Sequence, residues 1–285
     1  MNENKNVVQD VLNKTNLDWE VKTEPIQTES GIIIDNHKAI VRVDTNTPLS
    51  IRGNDYEIYQ NQQLVELLYR VSKNVGLEIV NGGYFGDGQK VYIQLKSNDL
   101  KLGNDKIEGY LTGINSFDGS TSLAFGPSNL TISCQNSFFA AFRGLNTKIR
   151  HTKNMIVRVD DVCRSLENVL EEEKEMFKNI KRMSNVKISK KIQDQVLRDL
   201  FNIDKEVNLE DVDSISTVTQ NKLSRFYVDL DGELKGKGDN LWGLFSGVTK
   251  YTTHSLSKGD NTEKKMFGTY GNRERMIFNN LVELV

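Results

Sequence analysis

Apolar positions recur along the chain with two periods, and the switching between them lays out a mixed helix–strand protein. Over residues 61–75, Leu64, Leu67, Leu68 and Val71 fall at spacings of three and four, giving one apolar stripe, and Gly76 stands where a C-terminal cap belongs. Residues 90–96 instead alternate apolar and polar side chains, as a half-buried strand does. Residues 77–85 are strand-like and run into Gly86-Asp87-Gly88, a hairpin signal. Residues 107–117, 121–125 and 130–134 read as further strands, with turns at Asp118-Gly119-Ser120 and Gly126-Pro127. Residues 135–142 read as the opening of a helix. Upstream, residues 1–20 hold a short helix followed by Trp19. Residues 31–43 hold two β-branched runs around Asp35-Asn36-His37-Lys38, the pattern of a hairpin with a turn at its centre.

Beyond residue 160 the helical period dominates. Residues 160–183 carry Val162, Leu166, Val169, Phe177, Ile180 and Met183 along one face, with acidic residues mid-helix and Lys181-Arg182 at the end, an order that suits the helix dipole. A second helix is predicted over 184–201, where Ile188, Ile192, Val196 and Leu200 lie four apart. Residues 202–220 read as a polar connection and 231–240 as a turn-rich loop. An apolar, aromatic segment follows over 241–254, and a terminal helix over 273–284. Strands joined by short turns and flanked by helices define the α+β class: an antiparallel sheet with packed helices and a helix-rich C-terminal half. The expected organisation is an α+β core over 1–158 and a mainly helical region over 159–285.

Composition adds exclusions. In 285 residues, 37 basic and 39 acidic side chains give a net charge of −2, so overall charge announces no polyanionic partner, though a local patch remains open. Two cysteines, Cys134 and Cys163, form no disulfide framework and suit a reducing cytoplasm. The N-terminal stretch lacks the pattern of a signal peptide, and no run approaches the ~18 apolar residues of a membrane span. A cytoplasmic protein without a membrane partner is expected.

Four ordered motifs carry a resemblance. The stretch YEIYQNQQLVELL (56–68) has a Y-x-x-x-Q-N segment before a helix. YLTGINSFDGSTSL (110–123) has a DGS turn after a strand. ISCQNSFFAAF (132–142) has a C-x-N-S opening. LWGLFSGVTKYTTHSL (241–256) ends in Y-x-x-H. Together these resemble the phage- and plasmid-associated family known as domain of unknown function 932, over roughly residues 42–284. Phe117 departs from that pattern, in which His is common. The resemblance implies a phage, prophage or plasmid gene, often beside recombination genes. Separately, the helix–strands–helix order over 61–143 is similar to the core of single-strand annealing proteins of the RecT and Red-beta types, in topology alone.

Candidate chemistry is sparse. Three scattered histidines, and no C-x-x-C, H-E-x-x-H or P-loop spacing, point to no metal, nucleotide or other cofactor. Asp118 and Ser120 with His151 or His254 offer the parts of a nucleophilic site, but Asp-Gly favours a plain turn. Cys134 beside Asn136 offers a thiol at a helix start, against a simpler reading as a buried small residue. The strongest signal is basic: Arg143, Lys148, Arg150, His151, Lys153 and Arg158, with Lys235, Lys237 and Lys250 further on, and a second cluster at Lys181, Arg182, Lys187, Lys190 and Lys191. Such cations contact phosphates, and Tyr84, Phe85, Tyr92, Tyr110 or Phe117 offer rings for bases. The reading is a non-enzymatic single-stranded DNA-binding protein of recombination, oligomeric, that promotes strand annealing beside phage or host recombination proteins. The alternative is a protein-binding modulator of host defence or replication.

Overall fold

The computed structural model describes residues 2–103, 105–131, 136–139, 150–152, 166–259 and 261–285. Arg143, Lys148, Lys153, Arg158, Cys134 and Cys163 lie outside them. The chain forms two compact units: residues 1–98, 110–127 and 141–171 in the first, and residues 99–109, 128–140 and 172–285 in the second. Two antiparallel sheets with helices establish the α+β class.

The first unit opens with α1 (Asn2–Thr15), which buries Val8 and Leu12, and continues into β1 (Val21–Gln27), β2 (Ile33–Arg42) and β3 (Thr47–Gly53). These pair in the order β1-β2-β3. The hairpin turn expected at 35–38 is not there. β2 runs straight through those polar residues, and the chain reverses at Gly31 (φ 81°) and Asn46 (φ 53°), where left-handed backbone is required. Asp35, Asn36 and His37 are polar because that part of the strand is exposed, not because it bends.

α2 (Asn61–Val75) buries the predicted stripe, with Leu64, Leu67 and Leu68 fully buried, and Gly76 (φ 70°) ends it as expected. β4 (Glu78–Phe85), β5 (Lys90–Leu102), β6 (Asp105–Ser116), β7 (Ala124–Thr131) and β8 (Asn136–Phe139) form the second sheet in sequence order. The β4–β5 turn falls on the predicted Gly-Asp-Gly, with Gly86 at φ 59° and Gly88 at φ 115°. Val91, Ile93 and Leu95 join Leu111, Phe117 and Phe125 against α2. Where a helix was expected from residue 135, residues 136–139 are a strand paired with β7. Short apolar runs do not distinguish the two. The helix–strands–helix order over 61–143 is therefore not what the described residues form.

The second unit is mainly helical: α3 (Leu166–Met183, which begins at the first unit's margin), α4 (Lys190–Phe201), α5 (Thr217–Lys237), α6 (Leu241–Lys250), α7 (Thr262–Phe267) and α8 (Thr269–Val282). Ile180, Leu197, Leu200, Phe226, Leu244, Phe245 and Ile277 meet in its core. The loop predicted at 231–240 is instead the end of α5, which persists to Lys237 despite Gly232 and Gly236. Its hold is electrostatic as well as apolar: Glu233, at 3% side-chain exposure, pairs with Lys237 at 2.6 Å and Lys250 at 3.3 Å. α6 passes into a π-helical turn at Tyr251–Ser255. The carbonyl of Thr249, at the end of α6, accepts from Lys265 Nζ at 3.3 Å, and that of Thr253, in the turn, from Asn261 Nδ2 at 3.0 Å. Lys265 is fully buried and meets Glu274 at 3.0 Å.

Candidate nucleic-acid interface

Strand alternation builds the candidate site in the first unit. With Val91, Ile93 and Leu95 turned into the core, Lys90, Tyr92, Gln94 and Lys96 must lie on the opposite side of β5. The register of β4 sets Phe85 opposite Lys90, Gly83 opposite Tyr92, Asn81 opposite Gln94 and Glu78 opposite Lys96. On β6, Tyr110 falls on this side, with Lys96 Nζ 5.3 Å from its ring centre. The result is a half-buried strip in which aromatic and cationic side chains interleave.

The strip is ordered by its own contacts. The rings of Phe85 and Tyr92 stack with centres 5.3 Å apart and planes 24° apart. Asn81 Nδ2 donates to Gln94 Oε1 at 2.9 Å, and Gln94 Nε2 donates to Thr112 Oγ1 at 3.1 Å. Gly83 lies across from the Tyr92 ring, where a Cβ would make ordinary contact at 3.5 Å. Along β6 the same side closes over, with Thr112 and Ile114 fully buried.

At the Lys90 end stands the Asp118-Gly119-Ser120 corner. Lys90 Nζ lies 3.4 Å from Asp118 Oδ2. Ser120 donates to Asp118 Oδ1 from both its backbone N–H (2.9 Å) and its hydroxyl (2.6 Å), and Gly119 takes φ 62°. Burial pushes the Asp118 carboxyl up, but the Ser120 hydrogen bonds and the Lys90 ammonium outweigh it and hold the pKa below the usual aspartate value. The serine proton is thus committed to its own turn, not to an imidazole.

Beside this corner Tyr56 donates to the carbonyl of Ser116 at 2.6 Å and stacks on His151, with ring centres 4.9 Å apart. The Nδ1–H of His151 donates to the carbonyl of Glu57 at 3.1 Å, while Nε2 is buried with no hydrogen-bond partner among the described residues. Burial lowers the His151 pKa, against the weaker opposing effect of that carbonyl. Burial likewise raises the pKa of Tyr56, helped by the charge of Asp118.

The nominated residues scatter. Phe85, Tyr92 and Tyr110 share the strip, whereas Phe117 is fully buried and Tyr84 lies on the other side, edge-on to Trp19 at 5.8 Å. Arg150 is exposed next to the buried His151. In the second unit, Lys237 is 6% exposed and bridges Glu233 and Asp105, the latter at 3.1 Å, while Lys250 completes the charge of Glu233. Lys235 is exposed and pairs with Asp231. His254 is exposed on the π-helical turn. Lys90 and Lys96 were missed, although the alternation of 90–96 and the turn before it place both beside Tyr92.

Among the described residues no group of three or more His, Cys, Asp or Glu is placed to hold a metal, and no helix is long and apolar enough to cross a membrane.

The residues behind the family resemblance build the fold. Gln60 clasps Val21 twice, accepting from its N–H at 3.0 Å and donating to its carbonyl at 2.7 Å, and Asn61 Nδ2 donates to the carbonyl of Trp19 at 3.0 Å. Gly247 lets α6 approach α5 where a Cβ would meet Leu230 at 2.8 Å. No curated protein and no solved structure matches the chain. A family model described as a domain of unknown function (DUF932) matches residues 48–269, which is most of the sequence, and the chain belongs to that family.

Proposed function

We propose that the chain binds single-stranded DNA along the β4–β6 strip, without enzymatic activity, in recombination of phage or plasmid DNA, with strand annealing by an oligomer as the setting. One observation carries this reading. Aromatic rings (Phe85, Tyr92, Tyr110) and ammonium groups (Lys90, Lys96) share one side of three adjacent strands. Sheet-borne aromatics stack unpaired bases, and flanking cations hold the phosphates. A duplex keeps its bases stacked on one another and gains only the charge contribution. The strip therefore selects for single strands. The experiment is titration of fluorescent single-stranded and duplex DNA with wild type and Tyr92→Ala. Loss of one stacking ring is expected to weaken single-strand binding by about 1–3 kcal/mol, roughly 5- to 150-fold, and to leave duplex binding unchanged. No single-strand binding at low salt sinks the reading.

A second reading, a protein-binding modulator of host defence or replication, draws on one further observation. Ile32, just before β2, and Ile33 and Ile34 at its start are 65%, 59% and 38% exposed, and such an apolar run suits a protein partner. Absence of DNA binding moves the weight there.

A further inference from the structure

The second unit carries a cationic corner between α3 and α4. Lys181 and Arg182 occupy the last turn of α3, where positive charge suits the helix dipole. The carbonyl of Lys181 accepts from Ser184 Oγ at 2.8 Å and from Asn185 Nδ2 at 3.0 Å, which turns the chain out of the helix. Residues 186–188 are then pinned from below. Val186 and Ile188 pack on the apolar core, Lys187 forms a β-bridge with Asn240, and Leu241 N–H donates to the carbonyl of Val186 at 2.9 Å. Ser189 caps α4, which opens with Lys190 and Lys191. Lys190 pairs with Asp194, and Lys178 with Glu175. Lys181, Arg182, Lys187 and Lys191 are exposed and make no ion pair among the described residues.

The dipole of α3 accounts for Lys181 and Arg182 but not for Lys187 or Lys191. In a chain of net charge −2, an unbalanced group of four cations is a local excess that draws polyanions. The surroundings narrow the class. Along α3 and α4 no large apolar side chain between residues 170 and 201 is exposed, and the one large ring shown beside them is the half-exposed Tyr227 of α5, which hydrogen-bonds Gln193 and so presents a polar edge rather than an apolar face. A membrane-surface helix needs an apolar face, and a protein interface needs an apolar centre. A phosphate backbone needs neither, only cations on a backbone that is already fixed. We infer that the α3–α4 corner is a second nucleic-acid contact, which holds phosphates and does not discriminate single from paired strands. It goes beyond the strip: it stands on different residues in the other unit and holds even if the strip binds nothing.

The test uses the full chain, a fluorescent single strand, a duplex of equal length and a salt series. Replacing all four residues by Gln (K181Q, R182Q, K187Q, K191Q) is expected to flatten the slope of log Kobs against log salt by about 3 on both ligands, at roughly 0.7–0.9 per lost phosphate contact. The variant K181R, K187R and K191R keeps the wild-type slope, which separates charge from folding. An unchanged slope in the Gln variant overturns the inference, and so does flattening confined to the single strand. Tyr92→Ala is the independent arm. If it alone weakens binding, the strip stands and the corner falls. If only the Gln variant changes, the corner stands and the strip falls. A wild type that binds neither ligand at low salt overturns both.

Discussion

Lys237 and Lys250 reach a buried carboxylate, whereas Lys187 and Lys191, in the same unit, reach solvent. Both stretches carry several lysines. What separates them is the position of the nearest acid. Glu233 lies four residues before Lys237 on α5, on the side that faces the core, so burying the glutamate draws in two ammonium groups and consumes their charge. At the corner the alternation of Val186, Lys187 and Ile188 buries the apolar neighbours and leaves the cation outside with no acid in register. A basic cluster keeps its full charge at the surface only where no buried carboxylate claims it.

The largest effect that breaks this comparison comes from the buried side. Glu233→Ala removes the nearer of the two carboxylates that hold Lys237, which is 6% exposed and keeps only Asp105 at 3.1 Å, and takes the partner from Lys250. The expected cost is about 3 kcal/mol, at the low end for a broken buried pair because Asp105 still faces Lys237, read as a lower urea midpoint. A loss below about 1 kcal/mol would mean that the network is ornamental.

A smaller effect belongs to His151. Its folded pKa lies below the ordinary 6.5, so the unfolded chain takes up the proton first as pH falls. Its contribution to stability is fully present above about pH 6.5 and is lost as pH drops through the window between the unfolded and folded values. Thermal melts from pH 7.5 to 5 are expected to fall more steeply for wild type than for His151→Gln, and parallel curves would refute the assignment.

The smallest effect lies at the corner. Lys187→Gln with Lys191→Gln is expected to leave stability within about 0.5 kcal/mol of wild type, since exposed unpaired charges hold nothing in place. A larger loss would show that these lysines have structural partners after all.

Much of the fold was legible because its signals were local. The Gly76 cap, the Gly86–Gly88 turn and the alternation of 90–96 each depend on backbone sterics or a single buried face. The failures share a cause. Asp35–Lys38 looked like a turn, and 231–240 like a loop, because polar or glycine-bearing stretches are ambiguous until tertiary contacts choose for them. β8 offered four residues, too few for a period to register. At the site, ring and charge types were readable, but sidedness was not. Phe117, just past the end of β6, is fully buried while Tyr110 on β6 stays half-buried, and the burial of Lys237 depends on Asp105, more than a hundred residues away in sequence.

The clasp of Gln60 on Val21 has a consequence for solution behaviour. β1 is an outer strand of its sheet, and such a strand invites another chain to add to it. Glu20 gives its carbonyl to Val43, so the odd-numbered residues Val21, Thr23 and Pro25 turn their main-chain groups away from β2. Gln60 has already taken both groups of Val21, and Pro25 has no N–H to offer. Of these three residues, only Thr23 has both main-chain groups on offer to an incoming strand. One glutamine amide and one proline thus guard this margin against aggregation, although the purely local task of each is to shape a single chain.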